Sequence, residues 1–391
     1  MDEFRQRLNN LREQMETAGI DIAIIQFFID IYYFSGSNQL STLIVSRDDD
    51  PTLFVQVGID VARENSWIRD IRALEGMNSL RDFLSVGRNG NVTFGINEDT
   101  VSGTLYRKYR ESFPAAKFVN ISPVIQKIRS IKSDKEVNLI EKTAEVSSLG
   151  HAHVREVLKP GLTELDLTAA VEHALRRNGH SGCSITRRGG YALPAGPMAP
   201  SGPNLGVISG NGAITMTGTG LSPALPMGAS QRKMNSGDMV AVDVSTHVNG
   251  YHSDEARMYI IGQPDEQQEN AFEVIFNAYQ AAIDAIRPGV KSREVYYAAA
   301  DVIEQAGYLD YFAAFSRYPK YSYLGHGVGL EAIEFPLIDP RDETVLQPNM
   351  VIAIEPKLIA PHWGCTLEDT ILVTDDGYRF LTKTKRALIV V

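Results

Sequence analysis

Residues 238–262, DMVAVDVSTHVNGYHSDEARMYIIG, read as two strands joined at Asn249-Gly250, a strong two-residue hairpin signal. That turn sets Asp243 opposite Ala256 and Asp254 opposite Ser245. Side chains on one face of a strand recur every second residue. Asp243 and Asp254 therefore share a face as diagonal neighbours, with Cβ atoms about 7–8 Å apart. A cation could be gripped between them. Asp243 also lies between Val242 and Val244 in an apolar strand. A carboxylate buried there needs hydrogen-bond donors or a metal.

Three further motifs follow toward the C-terminus. His326 stands in Gly325-His326-Gly327-Val328-Gly329, where glycines admit close backbone approach. Glu355 closes the apolar run VIAIEP, and Pro356 ends the pairing. Glu368 follows another short strand, with Asp369 beside it. Four carboxylates and one imidazole suit two adjacent divalent cations, because carboxylates are hard oxygen donors that can bridge metals. The array predicts a metal-dependent hydrolase.

The rest of the chain supplies two domains. Phe4, Leu8, Leu11 and Met15 recur at helical spacing, and short β-rich runs over 21–27, 43–46, 51–56, 92–95 and 118–120 alternate with helical segments at 77–86 and 104–112. This predicts a small α/β domain over 1–125. Residues 121–135 read as a boundary. Ser133 and Glu136 form a capping-box pattern that opens a long helix over 134–157. A second helix opens at Thr163 and runs to about Arg177. The Gly-, Pro- and Ser-rich stretch 181–237 reads as a long loop that leads into the hairpin and can contribute substrate contacts. Helices over 265–286 and 291–306 are separated by Pro288-Gly289, and the remainder is strand-like. A second domain over 126–391 carries all five candidate ligands.

The 391 residues carry a net charge of −10 and two cysteines, Cys183 and Cys365. No basic cluster is available to neutralise phosphates, so neither nucleic acid nor an anionic membrane is an expected partner. Two cysteines build no disulfide framework, and the charged N-terminus is unlike a signal peptide. The expectation is a cytoplasmic protein acting on small peptides or other small molecules.

In the order Asp243, Asp254, His326, Glu355 and Glu368, the motifs resemble those of the pita-bread metallopeptidases: aminopeptidase P, prolidase and creatinase-like proteins, the M24 type. RQRLNNLREQMETAGIDIAII and IYYFSGS resemble the creatinase N-terminal domain. The resemblance covers nearly the whole chain. It implies an α+β protein with a creatinase-like N-terminal domain and a pita-bread catalytic domain, a curved antiparallel sheet with flanking helices. It also implies a homodimer and two manganese, cobalt, zinc or iron ions. By that reading a hydroxide bridging the metals cleaves an Xaa-Pro bond, with Glu355 shuttling the proton.

Three positions depart from the pattern. Met227 and Ile333 stand where the peptidases carry histidines that hold the substrate carbonyl, and Thr366 stands where an arginine is frequent. Neither methionine nor isoleucine donates a hydrogen bond. The segment Ser209–Gly212 and Tyr323 are candidate replacements, Glu334, beside Ile333, is a further candidate substrate contact, and Arg257 is either another such contact or a salt bridge that buttresses the carboxylates. The alternatives are a pita-bread enzyme acting on a small non-peptide amide, amidine or compatible solute, and a non-catalytic binding protein on the same scaffold.

Overall fold

The computed structural model describes residues 2–85, 92–187, 196–210, 215–312 and 323–391. The chain divides into two compact units: Met1–Arg129 with Arg187–Gly189, and Ser130–Thr186 with Gly190–Val391.

The first unit runs α1 (Asp2–Thr17), β1 (Ile22–Ile25), α2 (Phe28–Ser35), β2 (Ser41–Ser46), β3 (Thr52–Val55), α3 (Ile59–Asn65), β4 (Asp70–Ala73), α4 (Met77–Ser85), β5 (Thr93–Ile96), α5 (Gly103–Ser112), β6 (Lys117–Asn120) and α6 (Ser122–Ser130). Its six strands form one mixed sheet in the order β4-β3-β2-β1-β5-β6. The periodic Leu8, Leu11 and Met15 of α1 are buried as their spacing predicts. Three helices lie where none was read. FIDIYYFS in α2 is almost continuously apolar, and its β-branched and aromatic residues imitate a buried strand. α6 occupies the stretch read as a boundary, and α3 is only two turns long.

The second unit opens with α7 (Asp134–Val157) and α8 (Glu164–Arg177). Both start on capping boxes, Ser133 with Glu136 and Thr163 with Asp166. The hairpin of β7 (Met239–Val248) and β8 (Tyr251–Ile260) follows, then α9 (Glu266–Ala285) and α10 (Ser292–Gln305). The remaining strands are β9 (Gly325–Gly327), β10 (Glu334–Ile338), β11 (Val351–Ile354), β12 (Lys357–Ala360), β13 (Trp363–Thr366), β14 (Asp369–Val373), β15 (Tyr378–Phe380) and β16 (Ile389–Val390). They form a five-stranded sheet, β10-β9-β11-β14-β15, and the hairpin β12-β13, while β16 pairs parallel to β8.

The two faces of β7 have different neighbours. Val240, Val242 and Val244 join Val154, Leu167, Val171 and Leu175 in the core beneath α7 and α8. Met239 and Ala241, on the other face, join Ile275, Tyr279, Val295, Ile352 and Ile371 in the core under α9 and α10. Further along that second face come Asp243 and Ser245, so one strand face passes from core to polar pocket within four residues. Among the described residues no helix is long and apolar enough to cross a membrane.

β9 lies between β10 and β11 at very short range. A Cβ on Gly325 would stand 2.0 Å from the Ala353 carbonyl oxygen, and one on Gly327 would stand 2.4 Å from that of Phe335. Backbone cannot yield as a side-chain tip can. Gly325→Ala is therefore expected to destabilise the protein by about 2–3 kcal/mol, read as a lowered urea midpoint. An unchanged midpoint would contradict this packing.

Candidate metal centre

The hairpin turn has Asn249 at φ 51° and Gly250 at φ 88°, both in the left-handed region that this two-residue turn requires. The register sets Asp243 against Ala256 and Ser245 against Asp254. A segment of the long loop lies along the open edge of β7, where Met198 and Asp243 exchange backbone hydrogen bonds of 3.0 and 2.9 Å. On the β8 side, the Thr370 hydroxyl accepts from Asp254 N and donates to Asp254 O, both at 2.8 Å. Glu368 N donates to Ala256 O at 3.1 Å. These bonds bring β14 and its preceding residue against the hairpin.

Register also places the two glutamates. Ile354 opposes Asp369 and Lys357 opposes Thr366, so the intervening Glu355 and Glu368 face one another across the two strand pairs. His326, in β9, opposes Ala353 on β11. Its Nδ1 lies 3.0 Å from Gly327 O, which orients the ring so that Nε2 points to the carboxylates. Nε2 is 3.6 Å from Glu355 Oε1 and 3.9 Å from Asp254 Oδ2. Ligand atoms of Asp254, His326 and Glu368 all lie within 4.8 Å of one another. Asp243 and Glu355 line the same pocket.

Burial makes this cluster costly without cations. Asp254, Glu355 and Glu368 are buried, and Asp254 Oδ1 has no hydrogen-bond partner among the described residues. Loss of water raises the Asp243 pKa to about 6, against the Thr215 hydroxyl, which donates to Oδ2 at 2.7 Å. Asp254 is raised well above the usual range, by burial and then by the charges of Asp243 and Glu355. Glu368 is raised by burial and then by Asp254, Glu355 and Asp243. Glu355 is raised by burial, and the Lys357 ammonium, 2.5 Å from Oε2, opposes the rise. An unpartnered buried oxygen within a crowded oxygen-and-nitrogen donor set fits divalent metal ions.

The substrate-side candidates divide. Ile333 and Tyr323 line the pocket beside the five candidate ligands. Met227 does not; it is buried against Gly210. The Ser209 hydroxyl bonds to Thr217, and residues 211 and 212 of the same segment lie outside the described residues. Arg257 is corrected from the first of its two readings, substrate contact, to the second, a salt-bridge buttress. It is fully buried and donates to Glu255 at 2.9 Å, to Asp369 at 2.7 Å, and to the carbonyls of Ala256, Glu368 and Thr384. Asp369 in turn accepts from Tyr279 and Thr382 at 2.6 Å and from Arg386 at 2.8 Å. Glu334 is likewise corrected: it accepts from Lys132 Nζ at 3.1 Å and from Glu331 N at 3.0 Å, and it stands outside the lining.

Ser184, Met198 and Thr215 in the lining belong to the long loop expected to contribute contacts, but sequence reading singled out none of them, nor Ser245, nor Lys357 behind Glu355. Period-two alternation could have found two of them. Ser245 follows Asp243 by two and opposes Asp254, and Lys357 follows Glu355 by two. Nothing local distinguishes Thr215 from its neighbours in that loop.

A model of metallopeptidase family M24 matches residues 138–375, and a model of the creatinase/prolidase N-terminal domain matches residues 7–131. The chain is 31% identical to the Xaa-Pro dipeptidase of Pyrococcus furiosus over 390 residues, covering 99% of this chain and 100% of that protein. It is 30% identical to the Xaa-Pro dipeptidase of Pyrococcus horikoshii over 402 residues, covering both in full. The solved prolidase of Pyrococcus horikoshii OT3 superposes with a TM-score of 0.82 at 28% identity, covering 98% of this chain and 100% of that one.

The raised carboxyl pKa values set a pH dependence. Unfolded carboxyls titrate near pH 4, below their folded values. The metal-free fold therefore holds more protons than the unfolded chain, and it loses stability as pH rises through that window, which for Asp243 ends at about 6. A divalent cation bound there, such as Mn2+, would relieve the repulsion. The gain in Tm on adding Mn2+ is expected to grow between about pH 5 and about pH 7; a gain independent of pH would contradict the carboxylate cage.

Proposed function

The chain belongs to metallopeptidase family M24, and on that footing we propose that it hydrolyses the Xaa-Pro bond of small peptides with two divalent cations, manganese, cobalt, zinc or iron. The observation that carries the reading is the convergence of Asp243, Asp254, His326, Glu355 and Glu368 on one buried pocket. Those five residues would hold the cations. When bound, such ions polarise a carbonyl and bring the pKa of water toward neutrality.

The remaining roles fall to the chain's own groups. Glu355, whose Oε1 faces His326, moves a proton from the attacking water to the leaving amide nitrogen. Thr215 holds Asp243 in place through Oδ2. Ile333, Ala332 and Met198 form an apolar wall, while Tyr323, Ser245 and Ser184 supply hydroxyls along the lining. An apolar wall of this kind suits the pyrrolidine ring of proline. The two free thiols support a reducing, cytoplasmic setting, and the resemblance to prolidases supports a homodimer.

Ile333 also favours a second reading. An apolar side chain in the lining cannot donate to a substrate carbonyl, so a small non-peptide amide is the alternative substrate. Purified protein with added Mn2+ or Co2+ is expected to cleave Xaa-Pro dipeptides and to leave Xaa-Ala analogues nearly untouched. Asp254→Asn is expected to lower kcat/KM by about 10³ or more while the fold persists by circular dichroism. Two equivalents of bound metal without Xaa-Pro cleavage would shift the assignment to the non-peptide substrate.

A further inference from the structure

One cation of the centre is already built into the chain. The Lys357 side chain is 3% exposed, and its ammonium sits 2.5 Å from Glu355 Oε2 and 5.0 Å from the centre of the Tyr323 ring. Its position follows from register. Lys357 lies two residues past Glu355 and opposite Thr366, which lies two residues before Glu368. The four residues therefore occupy two successive rungs on one face. Thr366 is short, and its hydroxyl donates to Pro356 O at 3.1 Å, so the lysine side chain can run back along the strand to Glu355.

The two ends of the carboxylate cage are thereby made unequal. At one end Asp243 Oδ2 is held by a neutral hydroxyl, that of Thr215 at 2.7 Å. At the other end Glu355 Oε2 is held by a positive charge, leaving Oε1, the oxygen nearer His326, to face the pocket. A divalent ion that His326 and Glu355 would hold would share its carboxylate with an ammonium ion. An ion that Asp243 would hold would share its carboxylate with a neutral group. Repulsion between like charges in a buried site is large, and the ammonium is fixed there by the backbone ladder.

Resting on the two-cation reading above, we infer that Lys357 is a positioning residue for Glu355 and makes the cation on the His326–Glu355 side the weaker bound of the two. Loading is then stepwise, the ion on the Asp243 side entering first.

Calorimetric titration of the metal-stripped, full-length protein with Mn2+ tests this. The wild-type chain is expected to show two steps. Lys357→Met is expected to strengthen the weaker step by about tenfold or more and to leave the stronger step within about threefold. Lys357→Gln, which can keep a donor for Oε2 without the charge, is expected to behave like Lys357→Met, and Lys357→Arg like the wild type. His326→Ala is expected to remove the weaker step and with it the effect of Lys357→Met. Two wild-type steps left unchanged by both neutral variants would overturn the inference alone. A wild-type chain that binds no Mn2+ would overturn the two-cation reading and this inference with it.

Discussion

Repulsion among four carboxylates in a place from which water is largely excluded is the constraint around which the catalytic unit is arranged. Burial raises Asp254 and Glu368 well above the usual acid range, and neighbouring charge raises them further, Asp243 and Glu355 acting on Asp254, and Asp254, Glu355 and Asp243 on Glu368. No folded chain would hold these groups together without compensation. Part of that compensation is internal, from the Thr215 hydroxyl and the Lys357 ammonium. The rest is the charge of the divalent ions that the donor set fits.

Directly behind the cage lies a second charged layer. Arg257 is three residues past Asp254, and Asp369 is next to Glu368. Successive strand residues point to opposite faces, so the neighbour of each ligand points away from the pocket. There Arg257 pairs with Glu255 Oε1 and Asp369, and Asp369 accepts from Tyr279, Thr382 and Arg386. His151 joins the layer through Tyr259 and the Glu255 carbonyl, and burial lowers its pKa to about 3, so it stays neutral there. The layer fixes the strands that carry the ligands, which is how a metal site acquires rigid geometry. Arg257 acts there, through the Glu368 and Ala256 carbonyls.

Much of this site was legible in the chain. The Asn249-Gly250 turn set the register that puts Asp243 and Asp254 on one face, because a two-residue turn leaves no freedom in the pairing. The glycines around His326 announced a close backbone approach, and Gly325 does lie against Ala353. Other features were hidden for physical reasons. α2 is apolar on nearly every side, so periodicity could not separate it from a strand. Met227 occupies the place of an expected substrate donor, yet the loop that carries it folds it against Gly210 instead of into the pocket.

The sequence alone determined the candidate ligand types and their order, and, through turn chemistry and strand alternation, the face that Asp243 and Asp254 share. The tertiary structure decided what surrounds them. Only the folded chain brings Thr215 to Asp243 across 28 residues, closes Arg257 onto Asp369 across 112, and folds the Lys357 side chain back onto Glu355. Contacts of that kind depend on how separate elements meet in space, and no local pattern encodes the meeting. Five candidate ligands could therefore be read in advance, while the unequal partners of their carboxylates, one neutral and one cationic, could not.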